Sequence, residues 1–324
     1  MNPLTGLYRS VTAVRNSLFD HGILSRRRLQ QPVVSVGNLS VGGAGKTPFV
    51  IALGELLQAR GIGFDVLSRG YGRKTRGVRV VEADGSARDF GDEPLLVARR
   101  LGVPVIVGES RYRAGRIAEQ AFRSQLHLLD DGFQHRSVER DFDIVLLTEH
   151  DFDDRLLPSG RLREPLSALA RADGIVLPQD FSADNRSGAD RTIAALAKQG
   201  KFVWRVRREI SVPVLSAAPI VFCGIARPQQ FFAQVRAKGI VPAAEIGFRD
   251  HHAYNRSDIR RLKALRDRLG AGVFLTTEKD SVNLGSLAAE LVPLAVARLS
   301  LILDDPTDLV DAILNRIPEG KPGS

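Results

Sequence analysis

Between Ser40 and Thr47 the chain reads Ser-Val-Gly-Gly-Ala-Gly-Lys-Thr, a spacing suited to holding a polyphosphate. Glycines let successive backbone N–H groups turn toward one anion, Lys46 reaches the β- and γ-phosphates, and the Thr47 hydroxyl is placed to ligate Mg²⁺. Gly42, Gly43, Ala44, Gly45, Lys46 and Thr47 are therefore the expected nucleotide-binding residues. The loop departs from the usual pattern at Ser40, where a glycine normally opens it, but Lys46, Thr47, the apolar run before and the helical run after are all in place. A second element of phosphate chemistry is the apolar run 126–129 that ends in Asp130-Asp131-Gly132. Side chains alternate along a strand, so the two carboxylates face opposite ways and one of them faces the Mg²⁺ shell. An acidic pair, Asp92-Glu93 between Gly91 and Pro94, precedes another helical run; Asp92 serves there as an ordinary N-cap, as a catalytic carboxylate, or as both.

The elements that must position these residues follow from periodicity. Short apolar runs at 33–36, 64–67, 103–107, 126–129, 144–147 and 175–177 read as strands, and helical patterns at 48–60 and 112–124 lie between them. Alternation of this kind implies a mostly parallel sheet flanked by helices, here of P-loop NTPase-like α/β class. Around 202–212 the pattern becomes strictly alternating, with Trp204 and Val206 on one face and Arg205 and Arg207 on the other, which reads as a strand linker. A second α/β set follows: strands at 220–223 and 273–275, helices at 229–237, 257–269 and 307–317. The expected domains are an amphipathic helix (1–28), a phosphate-loop lobe (29–203), a strand linker (204–214) and a smaller α/β lobe closing the cleft (215–324).

Composition narrows the class. The chain has 324 residues, 44% of them hydrophobic and 26% charged, which excludes disordered and disulfide-stapled proteins and provides for about two domains of ~150 residues. A single cysteine, Cys223, makes no intramolecular bridge, and the N-terminus lacks an apolar signal core, so a cytoplasmic location is expected. The apolar stretch 287–303 is interrupted by Glu290, Pro293 and Arg298 and is no membrane span. The net charge is +9, and residues 1–28 hold Arg9, Arg15, Arg26, Arg27 and Arg28 against Asp20 alone. Leu4, Leu7, Tyr8, Val11, Val14 and Leu18 recur there at helical spacing, so this helix either lies in a lipid interface or packs on the body of the protein. Nucleic acid is not expected as a partner, since no binding module or arginine–aromatic interleaving accompanies the charge.

Seven segments occur in one order across nearly the whole chain: Val36 to Pro48, Ser68-Arg-Gly-Tyr-Gly72, Gly91-Asp-Glu-Pro94, Leu129-Asp-Asp-Gly-Phe-Gln-His135, Gly160-Arg-Leu-Arg-Glu-Pro165, Phe248-Arg-Asp-His251 and Thr277-Glu-Lys-Asp280. In these segments the sequence resembles the tetraacyldisaccharide 4'-kinases, the lipid A 4'-kinases of Gram-negative bacteria. The resemblance implies a monotopic or peripheral enzyme on the cytoplasmic face of the bacterial inner membrane. It implies transfer of the γ-phosphoryl of ATP to the 4'-hydroxyl of a tetraacylated glucosamine disaccharide 1-phosphate, giving lipid IVA. ATP and Mg²⁺ would be the cofactors, the acylated disaccharide and a membrane surface the partners, with no obligate protein partner. By motif, Asp92 and His251 would form a catalytic dyad with Lys46 and Asp131 as further catalytic groups. Thr47, Asp130, Asp131 and Glu93 would serve the metal, and Arg111, Gln134 and Glu164 would join the nucleotide site. Residue chemistry alone leaves His252 equal to His251 and Arg113 close to Arg111, and makes His135 a packing residue beside the metal strand.

Two rivals remain. A membrane-associated P-loop ATPase that switches or positions partners carries a lysine directly before Gly-Gly, where this chain has Val41. A guanine site would need Asn/Thr-Lys-x-Asp, whereas Thr277-Glu-Lys-Asp280 sets the lysine against the aspartate. A soluble small-molecule kinase differs from the lipid kinase in needing no lipid.

Overall fold

The computed structural model describes residues 3–181 and 187–317. The ends of the expected 1–28 and 215–324 segments and a stretch within 29–203 therefore lie outside the described residues. The strands are β1 (Val33–Asn38), β2 (Phe64–Ser68), β3 (Arg79–Val80), β4 (Val105–Val107), β5 (Leu126–Asp130), β6 (Phe142–Leu146), β7 (Gly174–Pro178), β8 (Phe202–Ser211), β9 (Pro219–Cys223), β10 (Ala244–Gly247), β11 (Val273–Thr277) and β12 (Leu294–Leu303). The helices are α1 (Pro3–Asp20), α2 (Lys46–Ala59), α3 (Ala87–Phe90), α4 (Asp92–Leu101), α5 (Arg111–Ala121), α6 (Ser187–Lys198), α7 (Pro228–Ala237), α8 (Arg256–Leu269), α9 (Glu278–Leu284) and α10 (Pro306–Leu314).

The strands form one sheet in the order β10-β9-β11-β12-β8-β7-β6-β1-β5-β2-β4-β3. All neighbours are parallel except β3 with β4 and β8 with β12. The central strands β1, β2, β5 and β6 are buried along their whole length, as their continuous apolar runs require of a sheet covered on both faces. β1 lies between β5 and β6, so the loops leaving these three strands open at one point of the sheet.

Two findings revise the expected domain limits. First, the linker is double: the first half of β8 runs parallel to β7, and its second half pairs antiparallel with β12 from Val206↔Leu303 to Ser211↔Arg298. β12 is half-buried, and its sequence reads as an interrupted apolar stretch rather than a strand. Second, the chain after β12 does not stay with the smaller lobe. Leu309, Val310, Ala312 and Ile313 of α10 join the core built by α2 and α4, Arg60 pairs with Asp311 at 2.8 Å, and the Trp204 indole donates to Asp308 at 2.8 Å. The apolar face of α10 fits the exposed side of that core, so the phosphate-loop lobe includes the C-terminal helix and the smaller lobe is an insertion between β8 and β12.

At the N-terminus the helix ends at Asp20, and residues 21–28 leave it as a turn and an extended segment in which Arg27 bridges to Val138. α1 docks through Tyr8, whose hydroxyl donates to the Arg163 carbonyl at 3.0 Å, through Asn16, and through buried Phe19, which lies under Arg136. Tyr8 thus leaves the apolar stripe expected of it. Leu4, Leu7, Val11 and Val14 stay about 60% exposed on the other side.

Candidate active site

β1 delivers the chain to the phosphate loop, and segment 155–165 runs alongside it. Val41 N–H donates to the Arg161 carbonyl at 2.8 Å, Arg163 N–H donates to the Leu39 carbonyl at 2.7 Å, and Ser40 sits in a bridge with Leu162. This bridge accounts for the serine. Ser40 is not among the positive-φ residues, so the glycine usual at that position is not required, whereas Gly42, Gly43 and Gly45 turn with φ of 80°, 56° and 85°. α2 then starts at Lys46 with no side-chain cap on its first N–H groups, which leaves those donors for an anion.

Lys46 Nζ donates to Asn38 Oδ1 at 3.0 Å and lies 3.5 Å from Asp131 Oδ1. Arg163 closes the same cluster, donating to Asp131 Oδ1 at 2.9 Å and Oδ2 at 3.1 Å and also to Asn38. Burial opposes ionisation of Asp131, but Lys46 and then Arg163 outweigh it and hold the carboxyl down at about 2. Asp130 is the opposite case. Burial, then the charges of Glu93 and Asp131, push it up to about 7; Ser68 donates to Oδ2 at 3.1 Å, and Oδ1 has no hydrogen-bond partner. Arg111 is buried behind the pair, where desolvation lowers it to about 10 against the pull of Asp130 and Asp131, while Arg113 points outward.

Mg²⁺ fits this chemistry. An orphan buried carboxylate oxygen, surplus negative charge at Asp130 and Glu93, and buried Thr47 at the helix start supply hard oxygen donors. Among the described residues no group of three His, Cys, Asp or Glu side chains forms a ready-made cage, which suits an ion that arrives with phosphates.

Across the cleft, His251 Nδ1 and Asp92 Oδ2 are 2.8 Å apart, joining α4 of one lobe to the turn before α8 of the other. Lys279 Nζ donates to His251 Nε2 at 3.2 Å, so Nε2 accepts and Nδ1–H donates to Asp92. Asn283 donates to the same Asp92 oxygen at 3.1 Å, and Lys279 lies 3.7 Å from Asp92 and 3.6 Å from Glu93. Burial would raise Asp92, but the His251 hydrogen bond and the Lys279 charge lower it below the ordinary carboxylate range. The same hydrogen bond, against burial, raises His251. Asp92 is the first residue of α4, and Gly91, at φ 90°, occupies the N-cap. A Cβ at Gly91 would come within 2.9 Å of the Tyr71 carbonyl, so the 68–72 loop and the α4 entry fit only around a glycine. His252 instead binds Asp258 at 3.0 Å and packs on Phe248 and Tyr254. Among the described residues the two non-glycines with positive φ are Asp131 (51°) and His251 (55°), one on each side of the cleft.

Glu164 and Gln134 lie behind the loop. Buried Glu164 pairs with Arg171 at 2.9 Å and accepts from Asn16 of α1 at 2.6 Å and from Gln134 at 3.2 Å; Gln134 donates to the Asn38 carbonyl at 2.9 Å. They therefore link α1 to the end of β1. His135 is held down to about 4 by burial and by Arg111, and contacts Ser137. Sequence spacing did not single out Asn38, Arg163, Lys279 or Asn283, although the first three lie inside the ordered segments that carry the family resemblance. Beside the loop, a cavity of about 840 Å³ opens over the ends of β6, β7 and β8, lined by Ala44, His150, Gln179, Arg208 and Arg227.

The sequence model of a family described as "Tetraacyldisaccharide-1-P 4'-kinase" matches residues 1–318. A tetraacyldisaccharide 4'-kinase from Koribacter versatilis is 48% identical over 98% of both chains, and one from Geobacter metallireducens is 36% identical over 94% of both. The crystal structure of the "apo" form of LpxK from Aquifex aeolicus in complex with ATP superposes with a TM-score of 0.78 at 31% identity, covering 98% of each chain.

Proposed function

The chain belongs to the tetraacyldisaccharide-1-P 4'-kinase family, and from that premise we propose how its residues carry out the transfer of the ATP γ-phosphoryl to the 4'-hydroxyl of a tetraacyldisaccharide 1-phosphate. The observation that carries the reading is the Asp92–His251 contact, formed between the two lobes, with Lys279 bridging Asp92 to Glu93, whose charge acts on Asp130. A sugar hydroxyl is a poor nucleophile, and Asp92 accepts its proton as the new O–P bond forms and the bond to the β-phosphate oxygen breaks. His251 Nδ1–H orients Asp92, and Lys279 fixes the tautomer that makes this possible. Lys46 offsets charge on the β- and γ-phosphates, which requires it to exchange Asp131 and Asn38 for the nucleotide. Thr47, Asp130 and Glu93 would hold Mg²⁺, whose charge would neutralise the phosphate oxygens when bound. Asp131 holds Lys46 beside the loop until the nucleotide arrives and, still bonded to Arg163, stays ionised when the lysine moves to the phosphates.

For delivery to the lipid we propose the exposed face of α1. No helix among the described residues is long and apolar enough to cross a membrane. Leu7, Val11 and Val14 line one side, away from the docked face, and give an interfacial helix its apolar contact. Arg26, Arg27 and Arg28 contribute less than their charges suggest, because Arg26 meets Asp20, Arg27 lies over Tyr112 and Arg28 meets Glu139. On this reading the enzyme sits at the cytoplasmic face of the inner membrane as a peripheral or monotopic protein. The direct test is incubation with ATP, Mg²⁺ and the tetraacyldisaccharide 1-phosphate, with mass spectrometry for one added phosphate. Absence of that product from folded protein would overturn the assignment, and equal turnover of a water-soluble sugar acceptor would favour the soluble kinase.

A further inference from the structure

Two arginines outside the phosphate loop converge on it. Arg208, on β8, donates from Nη2 to the Gly43 carbonyl at 3.3 Å, and a Cβ at Gly45 would lie 2.9 Å from the same nitrogen. Arg227, which precedes α7 in the inserted lobe, would have its Nε 3.5 Å from a Cβ at Gly43. Both guanidiniums therefore rest on the glycine face of the loop, at the mouth of the cavity over β6, β7 and β8. Neither makes an ion pair among the described residues. Arg208 feels the repulsion of Arg227, offset from beyond pairing distance by Asp180. By contrast, Lys46 and Arg163 are matched to Asp131, and Lys279 to Asp92, Glu93 and Asp250. Two like charges held together without a carboxylate leave an anion-sized need beside donors already aimed at phosphate.

We propose that Arg208 and Arg227 bind the triphosphate of the nucleotide, so that the linker and the inserted lobe supply part of the ATP site. This inference rests on the kinase reading and extends it to residues outside the loop. Two planar donors from beyond the loop discriminate a longer phosphate chain from a shorter one, because each phosphate added brings another oxygen within reach. They also make triphosphate binding depend on the placement of the inserted lobe, which carries Arg227 on the same body as His251. The bound nucleotide and the base-side histidine are thereby brought into register by one ligand.

The test uses the full-length protein and calorimetric titration with ATP, with inorganic tripolyphosphate as competitor. Arg208→Gln and Arg227→Gln should each weaken ATP on the order of tenfold, ADP less, and tripolyphosphate in the same proportion as ATP. Arg208→Lys should recover part of the loss. Arg236→Gln, on α7 away from the cavity and paired with Glu245, should bind as the wild type does. Melting temperatures within error of the wild type would show that the losses come from lost phosphate contacts. Wild-type ATP affinity in both glutamine variants, or unchanged tripolyphosphate competition, would overturn the inference while leaving the kinase reading intact. Failure of the unmodified protein to bind ATP would overturn both.

Discussion

At the residue scale the site is a set of opposed charges awaiting a nucleotide. Lys46 is held by Asn38 and Asp131, so removing it takes away a partner that keeps Asp131 ionised and, on the proposed mechanism, the contact to the phosphates. Lys46→Ala should therefore cut turnover by on the order of a hundredfold or more in a folded protein, read in steady-state assays. Near-normal rates would remove the phosphate-loop assignment. Asp92 and His251 share one hydrogen bond, so their losses should not multiply. Asp92→Asn and His251→Ala should each lower kcat by roughly a hundredfold with little change in KM for ATP, and the double variant should be less impaired than the product of the two. Fully multiplicative losses would mean that they act independently. Much of this was legible in the sequence, because the spacing from Gly42 to Thr47 and the Asp130-Asp131 strand end are local patterns. Asn283 and Lys279 were not, since they meet Asp92 from the far lobe through contacts separated by well over a hundred residues. β5 ends at Asp130, and Asp131 follows it at φ 51°, so strand alternation does not reach the second carboxylate. Only the fold reveals that Arg163 and Lys46 claim Asp131 and that Asp130 keeps a bare oxygen.

At the scale of elements, strands rich in branched apolar residues between turns are recovered within a few residues, while half-buried β12 and the two-residue β3 are not, because their partners rather than their sequences make them strands. The α1 stripe makes a prediction of its own. Serine at Leu7, Val11 and Val14 should reduce co-sedimentation with anionic vesicles at every salt concentration and raise KM for the lipid while KM for ATP stays put. Unchanged sedimentation would assign the membrane contact elsewhere. In the middle of the sheet, β5 carries fully buried His127, 2.8 Å from Asp65 of β2 and 3.5 Å from Glu119 of α5. Desolvation opposes its charge, but the Asp65 and Glu119 bonds raise it from 6.5 to about 9. Because the folded value lies above the unfolded one, the stabilisation is complete below pH 6.5 and disappears as pH climbs through about 9. Denaturant midpoints should fall across that window for the wild type and change less for His127→Asn. Parallel curves would show that the triad does not carry the pH dependence.

For the whole molecule, the return of α10 to the first lobe sets where stability resides. Leu309 is fully buried against the α2 side of that core, so Leu309→Ala should cost roughly 2–5 kcal/mol and shift the denaturant midpoint. Trp204, the only tryptophan in the chain, donates to Asp308 and should report the change in its fluorescence. Hydrogen exchange should quicken in α2 and not in α8; the reverse pattern would place α10 with the inserted lobe. The double crossing at β8 and β12 also bears on synthesis. A ribosome releases β1, the phosphate loop and β5 early, yet Leu301, Leu303, Leu309 and Ile313 of the same core emerge only after the inserted lobe has been made. Domains usually complete in order from the N-terminus. Here the inserted lobe, whose strands and helices are contiguous in the chain, is able to close while the nucleotide lobe still lacks its last layer. The nascent chain therefore reaches a competent phosphate site last, after the lobe that brings His251 to it already exists.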